Sequence, residues 1–242
     1  METKKKRFSF KKPTWKMILG VILFVSLLIS VIHMALRLAQ VPVYTTEAEQ
    51  HVKADYMLSL VQCALGIVIM FVPSFIAKRF SLNIPNYMYV LYYIFLYCAV
   101  YLGEVWDFYF RVPNWDTYLH TFSGVMLGAL GFSVASMMNE EKSIPVHLSP
   151  GFLALFAFCF ALACGAIWEI YEYTVDALLK LNMQKYMTES GGILSGRAAL
   201  ADTMEDMIVD AAGALVMSLA GYFSIKWKKP RKNEIAERNG EE

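Results

Sequence analysis

The stretch Arg197-Ala-Ala-Leu-Ala-Asp-Thr-Met-Glu-Asp-Met-Ile-Val-Asp-Ala-Ala-Gly213 begins as a polar segment and becomes an apolar helix that runs to about Lys226. At 100° per residue, Asp202, Glu205, Asp206 and Asp210 fall within an arc of about 140°, and Met204, Met207, Ile208 and Ala211 take the other side. The helix is therefore acidic on one face and apolar on the other. A carboxylate near the middle of a spanning helix costs roughly 2.5 to 3.5 kcal/mol on insertion scales, so this acidic face needs partners or water. Asp210 makes the strongest demand, because it lies about 12 Å deeper than Asp202 at 1.5 Å per residue.

Composition agrees with a membrane setting. Hydrophobic residues make up 57% of the 242 and charged residues only 18%, too apolar a balance for a soluble domain of this length. The formal net charge of +1 conceals segregation: residues 1–16 and the segment after Ile225 are dense in Lys and Arg. The chain divides into a basic cytoplasmic N-terminus (1–16), a transmembrane domain (17–226) and a basic, then acidic, cytoplasmic tail (227–242). Cys63, Cys98, Cys159 and Cys164 all lie in apolar runs and read as small buried hydrophobes, neither disulfides nor a zinc motif.

Six apolar runs predict an all-α polytopic bundle of six transmembrane helices with both termini cytoplasmic. The first runs from about Met17 to Leu38, too long for the core of a cleaved signal peptide; Arg37, one turn after His33, is expected to snorkel to the headgroups. The second runs from Tyr56 to Ala77 and stops at Lys78 and Arg79, a positive-inside signal. The third, Tyr87 to Phe110, carries Glu104 and Asp107 in its final turns. The fourth, Asp116 to Met138, has Asp116, His120 and Ser123 on one stripe, with Gly124 and Gly128 spaced to admit a neighbouring helix closely. The fifth, Gly151 to Val175, ends with Glu169, Glu172 and Asp176 within about 60° of one another. A loop of about 25 residues then leads into the sixth.

Topology turns these positions into one place. Spans three and five end on the outer side, spans four and six begin there, and the carboxylates named all fall in that outer half. Asp116 with His120, Glu169 with Glu172, and Asp202 with Asp206 each sit about one turn apart, so each pair can point at a common spot. So many acidic groups in a low dielectric must be partly protonated, paired with arginine, or bound to a cation. Nearer the interface, Glu104, Asp107, Asp176 and Glu205 are expected simply to face water.

Trp115-Asp116-Thr117-Tyr118-Leu119-His120 with Ser123-Gly124, then Trp168-Glu169-Ile170-Tyr171-Glu172-Tyr173, then Asp202-Thr203 with Asp206 and Gly213, resemble the YjdF-type family of uncharacterised bacterial inner-membrane proteins. The similarity covers the last two thirds of the chain and implies a multi-pass protein of the bacterial plasma membrane. A more distant likeness is to VanZ-like proteins, linked to glycopeptide antibiotic resistance. These pair an Asp and a His on one helix with a Glu on the next, followed by a Gly-Arg and an Asp, as Gly196, Arg197 and Asp202 stand here. This chain departs in having Asp210 where that pattern has an amide and Glu172 where it has Gln.

Two classes of function fit. In the enzymatic one, Asp116, His120, Glu169, Asp202 and Asp206 bind a divalent metal, Mg²⁺ or Mn²⁺ by their hard oxygens, or Zn²⁺ through the imidazole. Glu172 or Asp210 is then the catalytic base and Arg111 or Arg197 clamps a phosphate on a lipid-linked envelope substrate. In the other, the cluster is the ion or proton site of a small transporter, or polar glue in a scaffold for envelope enzymes. The chain has no phosphate-binding loop, nucleophile elbow or nucleic-acid module.

Overall fold

The computed structural model describes residues 14–40, 47–79, 81, 84–140, 147–188 and 192–238. The expected basic N-terminus before Thr14 lies outside them, as do the acidic residues that end the tail. Eight α-helices occur among the described residues: α1 (Trp15–Gln40), α2 (Glu47–Ile69), α3 (Val72–Arg79), α4 (Asn86–Leu96), α5 (Phe108–Arg111), α6 (Trp115–Glu140), α7 (Pro150–Leu179) and α8 (Ala201–Arg238). Among the described residues, strand pairing is confined to one isolated bridge, Met187 with Ile193. Six stretches are long and apolar enough to cross a membrane: Trp15–Gln40, Asp55–Arg79, Asn86–Val105, Trp115–Asn139, Pro150–Leu179 and Gly196–Trp227. The protein is a polytopic membrane helix bundle with the expected number of spans.

Spans two and three are less regular than their hydropathy suggests. Pro73 lacks an N–H and its ring opposes the carbonyl four residues earlier, so the second span breaks between α2 and α3. The carbonyl of Ile69 that this orphans accepts the Tyr92 hydroxyl at 2.9 Å. In hydrocarbon no water could satisfy that group. The third span changes from α4 to a π-helix over Tyr97–Val105, and the Trp115 indole donates to the Cys98 carbonyl at 3.3 Å. The span ends there, not at Phe110 as its apolar run suggests: Asp107 adopts a left-handed φ of 56°, so α5 is a separate turn. Gly103 makes room for the Tyr109 ring, which a Cβ would strike.

The helices form two triplets. α1, α2 and α4 share a core of Leu23, Leu27, Cys63, Met70, Tyr89, Tyr93 and Leu96. α6, α7 and α8 pack against one another more extensively, because small residues let their backbones approach. Gly124 lies against the backbone of Asp210, Gly128 against Ala214, Gly131 against Ala157, and Gly213 against the Thr121 carbonyl. α7 starts at an N-cap, Ser149, whose hydroxyl accepts from Phe152 N, with Pro150 next. Contact between the triplets is slight, and two cavities occupy the space between them.

Candidate functional site

The glycines on α6 bring the acidic stripe of α8 against the His120 stripe. His120, 6% exposed, is the hub. Its Nδ1 lies 3.1 Å from Asp210 Oδ2, and the Ser123 hydroxyl holds the other Asp210 oxygen at 2.7 Å. Nε2 points the opposite way, 3.6 Å from Asp116 Oδ1, 4.0 Å from Glu169 Oε1 and 4.0 Å from Asp206 Oδ2. One imidazole thus touches carboxylates from three spans. If Nδ1 carries the proton, as an acceptor on that side dictates, the Nε2 lone pair faces three acids.

Several carboxylate oxygens here lack a hydrogen bond. Neither oxygen of Glu169 makes a hydrogen bond of ordinary geometry, nor do Asp206 Oδ2 and Asp202 Oδ2, although all are buried. Orphaned carboxylate oxygens in a low-dielectric interior are costly unless a proton or cation joins them. One atom each from Asp116, His120 and Asp206 lies within 4.8 Å of the others, so this group could hold a metal ion. The spacing around Nε2 is a little longer than the about 3 Å that separates adjacent ligands at octahedral bond lengths. The donor set of Asp116, His120 and Asp206 is one that could hold a divalent ion, and Glu169 stands beside it, 4.0 Å from Nε2.

Asp202, one turn further out, is engaged otherwise. Lys185 Nζ bridges it (2.7 Å to Oδ1) and Asp116 (2.6 Å to Oδ2). Burial alone would lower the Lys185 ammonium, but Asp116 and Asp202 outweigh it and hold it above the usual lysine range. The loop that delivers Lys185 is anchored in turn by Asp176, whose two oxygens accept Met183 N (2.8 Å) and Gln184 N (3.0 Å). Gln184 reaches the Thr203 hydroxyl at 3.0 Å, tying the loop to α8.

Of the residues the sequence singles out, Asp116, His120, Glu169, Asp206 and Asp210 converge on one centre. Glu172 is buried beside it, its Oε1 taking the Trp168 indole N–H at 2.9 Å, and it lines an outer chamber of about 310 Å³ with Glu104, Asp107, Asp116 and Lys185. Arg111 and Arg197 are not brought there. Arg111 is exposed and paired with Asp107 at 3.0 Å, and Arg197 is exposed in the 3₁₀ turn Gly196–Leu200. The expectation that Glu104, Asp107, Asp176 and Glu205 face water holds for Asp107 and Glu205, which are exposed. Asp176, in contrast, is 5% exposed because it caps the loop, and Glu104 is half-buried. Lys185 is the member of this charged cluster that sequence reading missed. Its only signal was a positive charge in a loop facing an excess of acids. Tyr109 was also missed; burial, reinforced by Glu104, keeps its phenol neutral well above the ordinary range, and it lines both cavities.

The first triplet and the acidic second triplet together match a family model for predicted membrane proteins, DUF2238, over residues 15–227. The chain belongs to this family. The match takes in all six spans of this DUF2238 protein and every residue of the cluster. A protein of Thermotoga maritima described as uncharacterized is 29% identical over 121 residues, 50% of this chain and 54% of that protein, so the alignment spans about half the length of the relative. No solved structure matches the chain.

Removing the lysine tests the bridge. Lys185→Met should destabilise the DUF2238 protein in detergent by about 1–3 kcal/mol, below the roughly 3–5 kcal/mol of fully buried pairs because its side chain is 38% exposed. Adding Asp116→Asn and Asp202→Asn should recover part of the loss, since the bare anions then disappear. A melting temperature that Lys185→Met leaves unchanged would show that the bridge is incidental.

Proposed function

We propose that this protein is a membrane enzyme whose divalent-cation site, built by Asp116, His120, Asp206 and Glu169, acts on a lipid-linked substrate at one face of the bilayer. The observation that carries this reading is the two-sided imidazole: Asp210 behind Nδ1, three carboxylates before Nε2. A carboxylate that holds the far nitrogen of a histidine fixes its tautomer and raises its basicity, a recurrent feature of metal-binding histidines. Three hard oxygen donors and one imidazole suit Mg²⁺ or Mn²⁺, and admit Zn²⁺.

A bound divalent ion would supply Lewis-acid polarisation of a substrate oxygen. The chain's own residues divide the remaining work. Asp210, committed on both oxygens, orients His120 and is a positioning residue, not a base. Glu172, poised by Trp168 and facing the outer chamber, is the group placed to take up a proton. Lys185 bridges Asp116 and Asp202 at the mouth and offers a positive charge to an anionic headgroup. The basic pair Lys78 and Arg79 ends the second span opposite that mouth, so the positive-inside rule assigns the mouth to the outer face.

A second reading, a proton- or cation-coupled transporter, is favoured by the carboxylates that continue from Glu104 in the outer chamber to Asp210 within the bundle. Metal binding by detergent-purified protein separates the two. We expect one Mn²⁺ per chain by electron paramagnetic resonance titration. Asp206→Asn should abolish that binding, and Asp210→Asn should weaken it about 10- to 100-fold through His120. Binding of no divalent ion, together with substrate-independent proton flux in proteoliposomes that Asp210→Asn stops, would replace the enzymatic reading by the transporter.

A further inference from the structure

The second cavity, of about 260 Å³, has walls unlike those of the outer chamber. Span two contributes Leu65 and Ile69, span three Phe95 and Ala99, and span four Leu119 and Leu127. Asp116, His120, Ser123 and Asp210 line the same space and carry its charged groups, while Gln62, Tyr92, Tyr109 and Tyr171 add neutral polar atoms to its walls. Two of the proposed cation ligands, Asp116 and His120, are thus shared with the cluster. Tyr109, Asp116 and Trp168 also border the outer chamber, so the two spaces adjoin there.

Such a cleft would be wasteful as an empty core defect, because unfilled apolar volume forfeits contacts on every side. In a bilayer it need not stay empty. Leu65, on its rim, is 37% exposed on a membrane-spanning helix, which opens the cleft toward hydrocarbon. Its volume falls just below the about 300–1,000 Å³ of drug-sized sites, a size for part of one chain, the rest of which would extend into the bilayer, and not for two chains side by side with their glycerol.

We propose that this cleft binds the single apolar chain, alkyl or isoprenoid, of an amphiphile whose oxygen-bearing head lies at the His120–Asp116 end. This deepens the cation-site reading and rests on it for the head alone. The chain is recognised by Leu65, Phe95, Leu119 and Leu127 whether or not an ion is bound. Hydrophobic burial of the chain then fixes the head against the cluster, which is how binding energy from a remote part of a substrate serves the reacting end.

The test uses the full-length protein in phosphatidylcholine nanodiscs and dodecanol carrying a photoactivatable diazirine on its chain, with labelled residues mapped by peptide mass spectrometry. Labelling around Leu127 and Cys164 should saturate and be competed by unlabelled dodecanol, whereas lipid-facing positions such as Ile208 and Val216 should label in proportion to reagent. Leu127→Trp, which fills the cleft, should reduce the saturable labelling about tenfold at limiting probe. Should that variant melt early, Ala99→Leu replaces it. Chelation and Asp206→Asn should leave the labelling intact. Labelling near Leu127 that rises linearly with reagent, or that survives both filling variants, would overturn the proposal. Saturable labelling in a protein that binds no Mn²⁺ would sink the cation reading while sustaining this one.

Discussion

Gly124→Val should destabilise the protein by about 3 kcal/mol, the upper end for overpacking a close contact. A Cβ at Gly124 would run into the carbonyl oxygen of Asp210 and lie 3.0 Å from its Cα. Both atoms belong to the backbone of α8, so no rotamer change can relieve the clash and the helices must separate. The contact is reciprocal: a Cβ at Gly213 would stand 2.7 Å from the Thr121 carbonyl and 3.0 Å from Val125 N. Separation would also pull Asp210 from His120, so divalent-ion binding should fall along with stability. Gly151→Val is the control, since only the Ser149 hydroxyl comes as near as 4.0 Å to that site; it should change stability by less than about 0.5 kcal/mol. Equal melting temperatures for the two variants would mean that α6 and α8 do not approach as closely as the glycines indicate.

That contrast marks what the sequence makes legible. Length and hydropathy locate all six spans, because each is a continuous apolar run long enough to cross a bilayer. The Gly124 and Gly128 spacing points to a close helix neighbour, yet only the structure identifies it as α8. Where the sequence misleads, the cause is local. Pro73 sits in an apolar run that does not weaken at the break, and hydropathy cannot distinguish α-helical from π-helical winding over Tyr97–Val105. Asp107 still counts toward the third span by its neighbours' hydropathy, while its left-handed backbone has already ended it.

The site divides along the same line. Residues on helices keep fixed angular relations, so the convergence of Asp116, His120, Glu169, Asp206 and Asp210 follows from register and from which helix ends share a face. Lys185 has no such frame. Its position depends on Asp176 catching two backbone N–H groups of the loop and on Gln184 reaching Thr203, contacts between groups far apart in sequence. Asp176 shares a face with Glu169 and Glu172, and by register alone it looks like one more site carboxylate or an interfacial one. Its work is instead to shape the loop that supplies the counter-charge. A loop residue that completes a helical cluster is visible in sequence only as an unexplained charge opposite a deficit.

The buried pair at the centre should show strong energetic coupling. Asp210 is 2% exposed, about 24 Å of helix from Lys226 at 1.5 Å per residue, and its described partners are His120 Nδ1 and the Ser123 hydroxyl. His120→Leu leaves a buried carboxylate with one donor in place of two, and Asp210→Leu leaves an imidazole N–H with no acceptor. Each should cost roughly 1–3 kcal/mol, since an unsatisfied buried polar group loses its hydration without replacement. The double variant removes both orphans, so its loss should fall short of the sum by about 0.5–3 kcal/mol, as for residues in direct contact. Asp210→Asn serves as a finer probe: its amide oxygen can still accept from Nδ1, so stability should drop less than in Asp210→Leu. Thermal unfolding of the four proteins in detergent measures the cycle. Strict additivity would mean that His120 and Asp210 do not share a hydrogen bond, and Nε2 would then have no reason to face the three carboxylates of the cluster.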